Sequence, residues 1–380
     1  MSTELTVRNA RIVMRDKEFR GSVHVVAGRI VAIDEGISCT RASEDWEGDW
    51  LLPGLVELHT DNLEKHLTPR PGAHWPALPA VLAHDAQLAA AGITTVFDAL
   101  ALGDVRPGGS RSEQLHIMLR AIAEARTHRL LRAEHLLHLR CELSTNGLIE
   151  LLEPLAGDPA LKLVSVMDHT PGQRQFISLG KYREYYQGKY GLSDAEMEIF
   201  TERQIENQKR HSAANRRAVV AHCRERGIAL ASHDDATPEH IEEAVADGVT
   251  ISEFPTTLAA ARAAHAARLG VLMGAPNMVR GKSHSGNVSA MDLARERLLD
   301  GLSSDYVPAS LLHAAYLAVD HAGWSLHEAI ACVSAKPARM AGLADRGEIA
   351  LDLRADLIRV RANGHVPVVL AAWREGRRIV

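Results

Sequence analysis

Apolar and polar positions follow two different rhythms along this chain. Residues 5 to 33 contain short strand-type runs, Leu5-Thr6-Val7, Arg11-Ile12-Val13, Ser22 to Val26 and Arg29 to Ile33, with a turn at Ala27-Gly28. The same rhythm returns at Ala355 to Val360, Val366 to Leu370 and Arg378 to Val380. Because both ends are β-rich and the middle is not, the ends are expected to pair into one small composite β-sandwich, residues 1–52 plus 343–380. In between, apolar strand-like runs alternate with helical patterns, the signature of parallel strands joined by crossover helices. These runs are Leu55 to Asp61, Thr94 to Leu100, His135 to Leu143, Lys162 to His169, Ile228 to Asp235, Val249 to Pro255, Gly270 to Asn277 and Gly301 to Tyr306. Helix starts are marked by the capping boxes Ser110-Arg111-Ser112-Glu113 and Ser325-Leu326-His327-Glu328, and by Thr237-Pro238, an N-cap followed by proline at the first helical position. The expected fold is therefore α/β, a (β/α)8 TIM barrel over 53–342 carrying the composite β module.

The stretch from about 172 to 226 is too long for one crossover. It holds Tyr182, Tyr185, Tyr186 and Tyr190, followed by a charged helical run through Glu206 and Arg210. It reads either as a helical hairpin with its tyrosines packed inward or as a lid over the barrel mouth, the face at which barrel enzymes vary. Length agrees with the layout, since 380 residues exceed a single core of roughly 250 residues unless that core is a barrel. A net charge of -5 argues against a general nucleic-acid binder, which needs a basic face to displace counterions. Cys39, Cys141, Cys223 and Cys332 lie far apart with no C-x-x-C pair, so they read as reduced thiols rather than a disulfide framework or zinc ribbon. No apolar run approaches the roughly 20 residues of a membrane span, and Met1 to Thr6 lacks the basic and apolar stretches of a signal peptide. The expectation is a cytoplasmic protein with no membrane or nucleic-acid partner; a homo-oligomer stays open.

Candidate chemistry gathers where the barrel strands end. Alternation along a strand sends His59 and Asp61 to one face and Thr60 to the other, so an imidazole and a carboxylate share that face and can hold a divalent ion. The bland alternative is a loop histidine beside a helix-capping aspartate. Against it stand the ends of the other strands: Glu142, His169, His233, Glu253 and Asp305. Active sites of TIM barrels sit at the C-terminal strand ends, so convergence of these positions predicts a metal centre. Glu142 could bridge two ions, one held by His59 and Asp61 and the other by His169 and His233. Two such ions would lower the pKa of a water and clamp a phosphoryl or carbonyl oxygen. Asp305 is placed to take that water's proton; its alternative role is an N-cap for the helix near Pro308.

His59-x-Asp61 on strand one, a later glutamate, histidines on two further strands and Asp305 after strand eight resemble the amidohydrolase superfamily, whose split β-sandwich is built from both termini. Within it, the stretch Pro53 to His66, Met167-Asp168-His169-Thr170-Pro171-Gly172-Gln173, Ser232-His233-Asp234-Asp235, Glu253-Phe254-Pro255-Thr256-Thr257 and Gly274-Ala275-Pro276-Asn277 resemble one branch, the diphosphatases of bacterial phosphonate breakdown. That resemblance implies hydrolysis of α-D-ribose 1-methylphosphonate 5-triphosphate to the 5-phosphate, with release of pyrophosphate, before carbon–phosphorus bond cleavage. It also implies a divalent cofactor, two ions, with zinc expected and manganese or magnesium as alternatives. Most relatives carry His-x-His on strand one and a histidine on strand six; here Asp61 and Glu253 stand there. Carboxylate for imidazole makes the site harder and favours manganese or magnesium somewhat more. Glu253 is then either a ligand or a partner that orients one.

A phosphorylated sugar substrate needs cations in a pocket already lined by carboxylates. Lys65 and Arg70 follow strand one, Arg174 follows strand four, and Asn277, Arg280 and Lys282 belong to a polar loop after strand seven whose groups could wrap phosphate oxygens. The expected mechanism has an activated water attack the phosphorus nearest the ribose. Two other readings use the same residues differently: an amide-bond hydrolase or deaminase acting on a neutral substrate, and a catalytically silent barrel serving as a scaffold.

Overall fold

The alternating runs at the amino end do become strands, in a computed structural model describing residues 4–37, 42–103, 111–174, 179–281, 283, 286–363 and 366–380. Cys39, Ser110 of the first capping box and Lys282 lie outside the described residues. The chain divides into two compact units, one of Met1–Asp98, Arg120–Leu136 and Met273–Val380, the other of Ala99–Leu119 and Leu137–Leu272.

The first unit holds a mixed sheet. Its strands are β1 (Glu4–Val13), β2 (Glu18–Val26), β3 (Arg29–Glu35), β4 (Glu44–Asp45) and β5 (Trp50–Pro53). The barrel strands β6 to β13, described below, come next in the chain. The sheet is then completed from the carboxyl end by β14 (Leu357–Asn363), β15 (Val366–Arg374) and β16 (Arg377–Arg378), in the order β16-β15-β14-β5-β1-β2-β3 with β4 beside β1. Two runs expected as separate strands, Leu5 to Val7 and Arg11 to Val13, are one strand. A bulge between Val7 and Ala10, with Asn9 in the left-handed region at φ 58°, absorbs the irregular residues without ending the pairing. Beneath the sheet Trp46 is fully buried and stacks on Trp373 at 5.3 Å, with Val7, Ile12, Val25, Leu51 and Leu357 around them. The two chain ends are also joined by charge: Asp49, 7% exposed, accepts from Arg359 Nε at 2.7 Å and from Arg361 Nε at 2.8 Å. Burial alone would raise the Asp49 carboxyl; the hydrogen bonds of Arg361 and Arg359 hold it below the usual range.

The second sheet is an eight-stranded series in chain order: β6 (Leu55–Thr60), β7 (Ile93–Leu102), β8 (Glu134–Glu142), β9 (Leu161–Met167), β10 (Ala229–His233), β11 (Ile251–Glu253), β12 (Gly270–Gly274) and β13 (Gly301–Ser303). β6 and β7 are buried at every residue, as strands covered on both faces must be. A parallel bridge between Thr60 and Asp305 links the first strand to the residues just after the last, so the fold is a nearly closed (β/α)8 barrel. The seventh run is shorter than expected. Its strand stops at Gly274 and a helix, Ala275–Arg280, begins with Pro276 in its first turn, where the ring's fixed φ is pre-set for a helix. Thr237 and Ser325 cap their helices as expected, Ser325 within a complete capping box.

The stretch expected as an insertion forms helices Leu179–Tyr190, Asp194–Asn207 and Ala213–Arg226, the second opened by the capping box Ser193–Glu196. Tyr182 and Tyr186 are buried against Met197 and Phe200, with the two tyrosine rings 4.6 Å apart, so the tyrosines do pack inward. Tyr185, at 47% exposed, is the exception.

Candidate active site

Within the second unit four strand ends bring their side chains together. Glu142 ends β8, and its Oε2 lies 2.6 Å from His169 Nδ1 while its Oε1 accepts from the His169 backbone N–H and from Ser144 Oγ. Burial would raise this carboxyl, but His169 brings it below its ordinary value. His233 ends β10, with its Nδ1 2.7 Å from Glu253 Oε2 at the end of β11. Both glutamates therefore grip an imidazole at Nδ1, which fixes the ring and leaves the Nε2 atoms on the other side. Those Nε2 atoms meet at Asp234, whose Oδ2 is 3.4 Å from His233 and 3.8 Å from His169. Asp234 Oδ2 is buried and has no hydrogen-bond donor among the described residues. Two imidazoles and a carboxylate oxygen that lacks a donor form the donor set of a divalent ion, so these residues fit a metal. Asp234 was visible in the sequence only as part of Ser232-His233-Asp234-Asp235. Its signal is conformational: Asp234 has φ 58°, Phe254 φ 54° and Asp305 φ 53°, three non-glycine residues in the left-handed region just past three strand ends.

In the first unit the strand-one end and the strand-eight end are stitched by backbone. Asp305 N donates to His59 O at 3.1 Å, Asp61 N donates to Asp305 O at 3.3 Å, and Thr60 Oγ1 donates to the same carbonyl at 2.7 Å. His59, Asp61 and Asp305 are thus neighbours through hydrogen bonds made by backbone groups and the Thr60 hydroxyl. Glu57, absent from the sequence expectation, fixes the arrangement from beneath. Fully buried, its carboxyl accepts from the backbone N–H groups of His59 and Ser304, and burial pushes its pKa up to about 7.

The expected phosphate-binding residues fare unequally. Lys65 is exposed; its Nζ donates to Tyr306 O at 2.5 Å and lies 4.6 Å from the Tyr306 ring centre, next door to Asp305. Arg70 and Arg280 are exposed. Arg174, expected to meet phosphate, is instead 5% exposed and committed to Asp235 and Glu243, the latter at 2.9 Å. A buried guanidinium already holding the buried Asp235 and the half-exposed Glu243 has little left for a ligand. Asn277, also expected at the substrate, spends its amide on its own loop: Nδ2 donates to Val288 O and Oδ1 accepts from Ala290 N.

Comparison with known proteins decides the family. No family model matches the chain. It is 50% identical over 378 residues to the alpha-D-ribose 1-methylphosphonate 5-triphosphate diphosphatase of Escherichia coli (strain K12), covering 99% of this chain and 100% of that one. The chain belongs to this diphosphatase family. Solved structures with the same fold include an N-acetyl-D-glucosamine-6-phosphate deacetylase from Mycobacterium smegmatis, at 17% identity with TM-score 0.65 and all of both chains covered. A 5-methylcytosine deaminase from Klebsiella pneumoniae aligns at 14% identity with TM-score 0.67, over 99% of this chain and 97% of that one.

For this member of the diphosphatase family, His233→Ala is expected to weaken divalent metal binding at least about tenfold, since it removes one donor and frees Glu253. Elemental analysis after supplementation and dialysis reads the loss; unchanged metal content would remove His233 from the ligand set.

Proposed function

We propose that this chain hydrolyses α-D-ribose 1-methylphosphonate 5-triphosphate to the 5-phosphate and pyrophosphate. The observation that carries the reading is full-length identity of one half to a diphosphatase of that name. The proposed ligand set is His59, Asp61, Glu142, His169 and His233, with Asp234 added and Glu253 as the group that orients His233. Support comes from the convergence of His169, His233 and Asp234 and from the carboxylates on both Nδ1 atoms. The mixed carboxylate and imidazole set suits zinc and admits manganese or magnesium. Divalent ions bound there would supply Lewis acidity and make a water easier to deprotonate.

The chain's own groups do the rest. Asp305 takes the proton of the attacking water; its backbone is held on both sides by strand one, so its carboxylate needs little reorganisation. Lys65, Arg70, Arg280 and Lys282 offset the charge of the leaving pyrophosphate, a role now withdrawn from Arg174 and Asn277. The proposed division of the chain is a composite module of 1–52 plus 343–380 and a barrel of 53–342. Among the described residues no helix is long and apolar enough to cross a membrane, and Cys141, Cys223 and Cys332 are free and buried, in keeping with a reducing cytoplasm.

Pyrophosphate release from the triphosphate, measured beside a panel of amides and esters, tests the reading. Turnover of amides without pyrophosphate release would replace it with the deacetylase or deaminase chemistry. Arg280→Ala is expected to raise KM for the triphosphate about tenfold, the worth of one charge-assisted hydrogen bond, and to spare a small neutral ester. Equal losses on both substrates would contradict a phosphate role for that helix end.

A further inference from the structure

Behind the strand-one turn runs a chain of buried polar side chains that the proposed chemistry does not use. Asp85 accepts from the backbone N–H groups of Arg132 and Ala133, each at 2.9 Å, and from the Arg132 guanidinium at 3.1 Å. His135 lies between two carboxylates, its Nε2 3.3 Å from Asp85 Oδ1 and its Nδ1 2.8 Å from Asp98 Oδ2. His84 Nε2 is 3.0 Å from Asp98 Oδ1, and His84 Nδ1 is 3.1 Å from Asn62 Nδ2. The side chains of His84, Asp85, Asp98 and His135 are 0% exposed.

Donor chemistry fixes the direction of every link. The Asn62 amide nitrogen has no lone pair to offer and two hydrogens to give; they go to its two nearest acceptors, Gln87 Oε1 at 2.8 Å and His84 Nδ1 at 3.1 Å, ahead of His66 Nε2 at 3.3 Å. His84 then carries its proton on Nε2 and donates it to Asp98. His135 faces a carboxylate at each nitrogen and holds a proton on both. Burial opposes that charge, but Asp98 and Asp85 prevail and push the imidazole up to about 9. Burial keeps His84 toward its neutral form, against the pull of Asp98. His84, Asp98 and His135 are close enough to ligate an ion, yet each ring nitrogen and carboxylate oxygen named is already spent on a neighbour. Asn62 follows Asp61, and its own N–H lies 3.3 Å from Thr60 Oγ1, the hydroxyl that donates to Asp305 O.

We infer that Asp85, His135, Asp98 and His84 are positioning residues that hold Asn62, and with it the turn presenting Asp61 to the metal. This rests on the proposed role of Asp61 as a ligand. Thr60 and Gln87, whose Oε1 accepts from Asn62 Nδ2 at 2.8 Å, also support the turn, and the chain adds a tie to a buried charged pair and onward to the helix Ala77–Ala90, which carries His84, Asp85 and Gln87.

The test compares Asp98→Asn with Asp49→Asn in the full chain. The second variant breaks the pairing of a buried carboxylate with two partly exposed arginines of the mixed sheet and so controls for lost stability. Zinc affinity, measured by competition with a chromophoric chelator and without substrate, is expected to fall about 10- to 100-fold in Asp98→Asn, the usual cost of losing an outer partner, and to stay within twofold in Asp49→Asn. Unchanged affinity in Asp98→Asn, or equal losses in both, overturns the inference. Should Asp98→Asn fail to fold, Asn62→Ala strands no charge and is read the same way. Nitrogen-15 spectra of the histidine rings must also show His135 doubly protonated at pH 7.5; a neutral ring there overturns the donor pattern. Wild-type protein that binds zinc but releases no pyrophosphate would defeat the proposed function and leave this inference standing.

Discussion

Asp305→Asn is expected to lower kcat by about 10²- to 10⁴-fold, the usual worth of a positioned general base, while leaving metal content and KM nearly unchanged. The substitution is almost isosteric. The Asp305 backbone supplies the contacts to His59, Thr60 and Asp61, so these survive the change and the strand ends keep their register. What is lost is the ability of one side chain to accept a proton. Stopped-flow or coupled detection of pyrophosphate, beside elemental analysis, separates this outcome from a structural one. Activity within tenfold of the parent would remove Asp305 from proton transfer.

Trp46→Ala is expected to destabilise the chain by about 3–5 kcal/mol, the range for deleting a fully buried large aromatic. Trp46 loses the Trp373 stack at 5.3 Å and the Arg359 guanidinium, 5.4 Å from its ring, together with the apolar contacts of the mixed sheet. Because the ring is buried by residues from both ends of the sequence, no local rearrangement can fill the space. Chemical denaturation read by tryptophan fluorescence and circular dichroism measures the change. A loss under 1 kcal/mol would mean that the sheet collapses around the deletion or contributes little to the whole.

The barrel was legible because its strands are buried on both faces and therefore read as apolar runs; β6 and β7, wholly buried, are the clearest cases. Strand ends were less legible. Nothing in Gly270 to Asn277 separates strand from helix by period, and only Pro276 marks the change. Within the candidate site, the histidines and glutamates were readable because strand position fixes where such donors converge. Asp234 was not, since its part depends on a left-handed backbone that no side-chain pattern reveals. Arg174 misled for a different reason. A cation beside a strand end looks the same whether its partner is a phosphate or, as here, a carboxylate 61 positions onward. The His84–Asp98–His135 chain escaped because its members sit on separate elements and show no common period.

The mixed sheet sets a timetable for folding. Asp49 and Arg359, which bind one another across it, stand 310 positions apart. A ribosome adding about 5–20 residues each second needs tens of seconds to cover that distance, during which the amino-terminal strands wait with the flank of β5 open. Such pairing closes a very long loop, so the final step of maturation is slow and exposes an unpaired edge that invites self-association. Expression yield should therefore respond more to conditions late in synthesis, such as temperature and chaperone supply, than to changes in the barrel helices.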